Sequence, residues 1–182
     1  MTLAVQRLTL QDFLALPNIE ASPAWELLDG ISIQKPMPTL HHSRLQKRLV
    51  SSIDALESAY EAFPELRCVL SQNSVVPDVA VVRNDRLPLG NEPLQGSPDW
   101  MIEILSPDQS TTKVISKIQA CLREGTQIGW LIDVDEETIM AFWNDTSSSQ
   151  ATPLSLLTGQ AHLPVLPDIN WDIKVEDVLS WR

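Results

Sequence analysis

Apolar residues along this chain change their spacing from one stretch to the next, and each change marks an element. In residues 8–16 Leu and Phe recur at helical spacing behind Thr9, a residue type suited to an N-cap, and the run stops before Pro17; a short opening helix is predicted. WELLDGISIQKP, residues 25–36, reads as two strands joined at Asp29-Gly30, with Ile31 and Ile33 on one face. From His42 to about Ala62 the residues Leu45, Leu49, Ile53, Leu56 and Tyr60 recur at steps of three and four, which predicts one long amphipathic helix lying across a sheet.

The Val-rich stretches 67–76 and 77–83 read as two strands, or as one strand bent around Pro77. PDWMIEIL, residues 98–105, is apolar enough for a strand buried on both faces. Ser110 and Thr111 are N-cap candidates for a helix running to about Glu124, stopped by Gly125. IGWLIDV, residues 128–134, and TIMAFW, residues 138–143, pair as strands across the acidic turn at Asp135 to Glu137. Residues 151–182 read as loop-rich, with a final helix near Val175 to Trp181. Strands and helices that alternate in this way place the chain in the α/β class.

The length, 182 residues without a Pro-rich or Ser/Gly-rich linker, suits one domain spanning 1–182. The opening MTLAVQRLTL lacks a basic leader, and no apolar stretch approaches the roughly 20 residues of a bilayer span, so a cytoplasmic protein outside the membrane is expected. Cys68 and Cys121 belong to no CxxC pair and read as buried thiols. A formal charge of −11 argues against a broad nucleic-acid-gripping surface, since such surfaces neutralise many phosphates with Lys and Arg. The same acidity suits a site of carboxylates that receives a divalent cation.

Two acids stand out because they interrupt apolar strands. Alternation in VVPDVAVV puts Asp78, Ala80 and Val82 on one face, and in WMIEIL it puts Met101, Glu103 and Leu105 together. A lone ionised carboxylate there costs several kcal/mol unless it is protonated, paired or bound to a cation. If the strands are neighbours, a divalent metal between the acids relieves their repulsion, and magnesium, which takes one or two carboxylates plus water and phosphate oxygens, suits the geometry. The bland alternative is a pair of acids at the sheet rim, or acids satisfied by Arg or backbone amides.

On the following helix Val114, Ile118, Cys121 and Leu122 form the buried stripe; Lys117 falls on its flank and Lys113 points further toward solvent. Lys117 can therefore snorkel toward Glu103, or remain a solvated lysine. Glu26 lies beside apolar residues just before a strand turn. His42 opens the long helix, and Arg44, Lys47 and Arg48 on it form the main basic cluster, which reads either as a phosphate track or as a solvated face. No GxSxG elbow and no Walker or Rossmann glycine pattern occurs.

Together the segments WELLDGISIQKP, PTLHHSRLQKRL, VVPDVAVV, PDWMIEILSPDQSTTKVISK and REGTQIGWLIDVDEETIMAFW resemble the Uma-two family of the PD-(D/E)xK restriction-endonuclease-like superfamily. The resemblance implies a mixed β-sheet flanked by α-helices, Asp78 and Glu103 as metal-binding acids, and Glu26 as a third acid. In the superfamily's usual pattern the lysine stands two residues after the second acid; that position is Leu105 here, and Lys117 matches the family's displaced lysine. The acid common four residues before that lysine is Lys113 here, and the aromatic residue common four after it is Cys121.

The implied activity is magnesium- or manganese-dependent DNA endonuclease chemistry. Glu26, Asp78, Glu103 and Lys117 would be catalytic, with His42, Arg44, Lys47, Arg48 and Lys113 meeting the nucleic acid. A homodimer is implied as well, because relatives of this fold are commonly dimeric. Two other readings stay open: a nuclease-derived fold kept as a non-catalytic binding or assembly module, and a small-substrate phosphoesterase using the same acids.

Overall fold

A computed structural model describes residues 7–107, 109–144 and 154–182. The first six residues of the chain and the start of the tail at 151–153 lie outside the described residues. Thr9 caps the opening helix α1 (Leu10–Leu14) by accepting the amide of Asp12 at 3.1 Å. Strands β1 (Trp25–Leu28) and β2 (Ile31–Gln34) form the expected hairpin. Its two-residue turn places Asp29 and Gly30 at φ 51° and 78°, the doubly left-handed geometry that twists the flanking strands correctly and that Asp-Gly tolerates.

Helix α2 (Leu40–Asp54) buries Leu45, Leu49 and Ile53, and Thr39 accepts the amide of His42 at its start. It stops eight residues short of the expected end. Glu57 turns left-handed (φ 49°), and residues 60–64 form a strand, β3 (Tyr60–Pro64). Leu56 and Tyr60 happen to continue the helical step, which hid the alternation of the buried Tyr60 and Ala62 with the exposed Glu61.

Beyond β3 come β4 (Cys68–Val69), β5 (Ser74–Val75), β6 (Val79–Arg83), a 3-10 turn over Asn84–Arg86, and β7 (Leu94–Gln95). Strand β8 (Trp100–Ile104) leads through helix α3 (Thr111–Arg123) to β9 (Ile128–Asp133), then β10 (Thr138–Trp143), β11 (Leu154–Thr158) and helix α4 (Val175–Leu179). The tail thus contributes an edge strand as well as the expected last helix.

These strands make two sheets where one was expected. The larger, ordered β11-β10-β9-β8-β6-β3, is mixed: β8 and β9 run parallel with α3 as their crossover, and the other pairs are antiparallel. The smaller is ordered β2-β1-β5-β4-β7. Pro77 is where the chain leaves the small sheet for the large one, the break that the Val-rich stretch promised.

Each face of the large sheet has its own core. On one, Val79, Val81, Ile102 and Trp130 pack against α2 and α4. On the other, Ala80, Val82, Met101 and Leu131 pack against α3 and the small sheet. Cys68 and Cys121 are free, buried thiols of this second core, and burial pushes the Cys68 pKa up to about 12. Among the described residues no helix is long and apolar enough to cross a membrane.

Candidate active site

The antiparallel pair β6/β8 sets the site. Val79 is registered with Ile102 and Ala80 with Met101, so one further step places Asp78, just before β6, opposite Glu103. Alternation turns both acids to the face that carries α3 and the small sheet. They are 3% and 2% exposed. The rim reading of these acids therefore fails, and each must be compensated where it lies.

Helix α3 supplies the first compensation. Gly129 on β9 lets it lie close: a Cβ built there would come 2.6 Å from Cγ2 of Ile118. The neighbouring Lys117 is drawn inward, is 5% exposed, and sets its Nζ 2.8 Å from Glu103 Oε1 and 2.6 Å from Glu26 Oε1. Glu26, on β1, also accepts the Val76 amide at 2.6 Å. The structure thus brings Glu26, Asp78, Glu103 and Lys117 to one place.

Asp78 is held by groups that the sequence reading did not assemble. Lys35 Nζ lies 2.8 Å from its Oδ1, His42 Nε2 lies 3.0 Å from its Oδ2, and the Ile104 amide donates to Oδ2 at 2.8 Å. Lys35 also binds both oxygens of Glu65 at 2.9 and 3.0 Å, and Gln46 of α2 donates to the Asp78 carbonyl at 2.8 Å and to Glu65 at 3.2 Å. Both ammonium groups reach one carbonyl oxygen, that of Val76, at 2.9 Å from Lys35 and 3.1 Å from Lys117.

A signal for Lys35 did exist. Glu26 is registered with Ile33, and the Lys35 amide continues the pairing to the Ala24 carbonyl, so the hairpin's period of two puts Lys35 on the face of Glu26. Glu65 and Gln46 carried no such signal, because neither strand β3 nor its place beside α2 was legible.

The charges separate under these contacts. Burial alone would raise Asp78, but Lys35 and the hydrogen-bonded His42 hold its carboxyl well below the usual range. Burial dominates at Glu103; opposed by Lys117 and reinforced by Asp78, it lifts the pKa to about 7. Burial would depress Lys117, yet Glu103 and Glu26 raise it, so the ammonium is permanent at neutral pH. Lys35 is likewise raised, by Asp78 against its burial.

Of the predicted nucleic-acid contacts, His42 is buried in this site. Lys113 lines a recess of about 360 Å³ that also contains Glu26 and Lys117. Arg44, Lys47 and Arg48 lie elsewhere, around a recess with Ser180 and Trp181. Their positions on α2 point away from the buried stripe, whereas His42 and Gln46 flank it on the site's side.

The side chains present fit a hard divalent cation. Four carboxyl groups, Glu26, Glu65, Asp78 and Glu103, stand against two ammonium groups, an excess of negative charge, once Glu103 is ionised, that one such ion balances. Apart from the Lys117 ammonium at 2.8 Å, Oε1 of Glu103 has no donor beside it among the described residues. Among the described residues no three carboxylate, imidazole or thiol groups converge as a complete ligand set. Two carboxylates completed by water and phosphate oxygens is the arrangement that magnesium accepts.

Comparisons with known proteins bear on the family and the fold. No curated protein matches the chain. A solved structure from Anabaena variabilis, titled as a "putative nuclease belonging to DUF820", is 40% identical, with a TM-score of 0.84 over 96% of this chain and 98% of that one. The α/β fold is shared with that protein. The family model described as "Putative restriction endonuclease" matches residues 10–176, and the chain belongs to that family, Uma2.

Proposed function

We propose that this protein is a divalent-metal-dependent endonuclease that hydrolyses phosphodiester bonds in DNA. The observation that carries the reading is the convergence of Glu26, Asp78, Glu103 and Lys117 in one buried cluster, from β1, β8, α3 and the residue just before β6. Asp78 and Glu103 would hold magnesium or manganese. When bound, such an ion supplies a Lewis acid for the phosphoryl group and an acidified water as nucleophile.

The chain's own groups have distinct work. Lys117 stays protonated, so it acts as a donor: it orients the attacking water and stabilises charge growing on the phosphoryl oxygens. Glu26, fixed by the Val76 amide, keeps the Lys117 ammonium beside Glu103. His42 and the Ile104 amide fix the rotamer of Asp78, and Lys35 neutralises it when no other cation is near.

Purified protein with magnesium or manganese is expected to nick plasmid DNA, and Asp78→Ala or Glu103→Ala to abolish the nicking. Activity that survives both substitutions ends the proposal. A second reading, a non-catalytic module on a nuclease fold, draws on the −11 charge and on two lysines already engaged by carboxylates. Manganese calorimetry separates the two, since the enzyme requires an ion that the module need not bind.

A further inference from the structure

Among the described residues the acids of the site lie behind small openings. Asp78, Glu103 and Lys117 lie at most 5% exposed, behind two recesses of about 230 and 360 Å³. Both recesses are lined by Lys35, Pro36 and Gln109, so they are neighbours sharing one wall. Sites for small molecules start at roughly 300 Å³, so only the larger recess has room for about one nucleotide, and neither has room for two paired strands.

The rim is also wrong for a duplex. Duplex binding rests on several cations that track phosphates. Here Lys35 and Lys117 are committed to carboxylates, which leaves Lys113 as the spare lysine lining the recesses among the described residues, while Glu20 and Glu65 line the smaller opening. The Arg44, Lys47 and Arg48 cluster opens into a different recess. What the rim does offer is apolar surface. Pro23, Pro36 and Pro38 line the smaller opening, and Met37 and Leu40, in the same segment, are 68% and 64% exposed. Apolar faces beside a narrow polar slot suit unpaired bases, each of which offers a flat face to pack on them.

Resting on the nuclease reading above, we infer that the substrate enters this site as a single DNA strand, a flap, gap or frayed end, rather than as an intact duplex. One nucleotide occupies the larger recess, its phosphate lies at the shared wall beside Gln109, and a neighbouring base rests on the proline and methionine rim.

The test measures fluorescence anisotropy of a labelled DNA strand and of the same strand annealed to its complement, with calcium in place of magnesium. It is repeated with Met37→Asp and Leu40→Asp, two exposed positions outside the catalytic groups, either of which suffices should the other fail to fold. The single strand is expected to bind about tenfold more tightly than the duplex or better, and each rim variant to lose most of that affinity. Duplex binding as tight as strand binding overturns the inference and leaves the nuclease reading standing, and so does strand binding unchanged in the folded rim variants. Binding of neither DNA overturns both.

Discussion

Replacing Lys117 by Met is the sharpest test of the site's electrostatics. The methionine keeps most of the stem that packs beside Ile118 but removes the ammonium 2.8 Å from Glu103 and 2.6 Å from Glu26. Breaking a buried pair by removing one partner costs about 3–5 kcal/mol, because the other charge stays buried. Two acids are stranded here, so the upper part of that range applies at pH 8. For a chain of this length that corresponds to a fall in Tm on the order of 10 °C.

The loss must also depend on pH, with a definite sign. Glu103 already has a folded pKa of about 7, above its ordinary 4.5, so its ionisation lowers stability as pH rises between those values. Without Lys117 its pKa climbs further, the acid stays neutral at pH 6, and its share of the stranded charge disappears. Urea unfolding at pH 6 and pH 8, followed by circular dichroism, reads both effects. Glu103→Gln added to Lys117→Met should recover much of the stability at pH 8. A single variant that loses less than about 1 kcal/mol at pH 8, or equally much at both pH values, refutes the pairing argument.

Gly129→Ala should cost about 1–3 kcal/mol in urea unfolding, because its Cβ would meet Ile118 at 2.6 Å and force α3 outward; nicking activity should fall too as Lys117 moves. Lys35→Met leaves Asp78 with only His42 and the Ile104 amide, so the stability that ionised Asp78 contributes should begin to fail at a higher pH on acidification, as read by an acid titration of ellipticity. Arg67→Met removes a buried guanidinium bound to Glu20, Ser74 and the carbonyls of Ile19 and Trp25. The segment before β1 should then lose its anchor and become sensitive to protease, with a cost of about 2–4 kcal/mol.

Where an element had a long pattern and a physical stop, the sequence carried it. Helix α3 ends with Gly125 at φ 112°, and the β1–β2 hairpin turns on Asp29-Gly30, because only residues tolerant of left-handed backbone solve those turns. Strand β3 had neither: five residues after a helix, with Tyr60 in helical register, carry too few alternations to outvote the longer period. The division into two sheets was hidden as well. Strands β4, β5 and β7 have two residues each and owe their existence to pairing with chain far away, such as Cys68 with Leu94.

The site was legible in its acids and less so in its cations, and the chain contains a control for why. Of the four Pro-Asp pairs in the chain, Pro77-Asp78 and Pro98-Asp99 each stand just before a strand of the β6/β8 pair, and both of these aspartates are buried. Antiparallel pairing sends them to opposite ends of that pair. Asp99 accepts the Arg83 amide at 2.8 Å and faces Arg86 at 2.9 Å, which ties down the 3-10 turn and leaves no second acid to neutralise. Asp78 instead meets Glu103, placed opposite it by the register, and α3 then has to deliver Lys117 to the same spot. What separates the two aspartates is the residue across the strand: a dipeptide that looks the same at both strand starts becomes a charged site only where another carboxylate faces it, and that partner can be read from the sequence once the register is known.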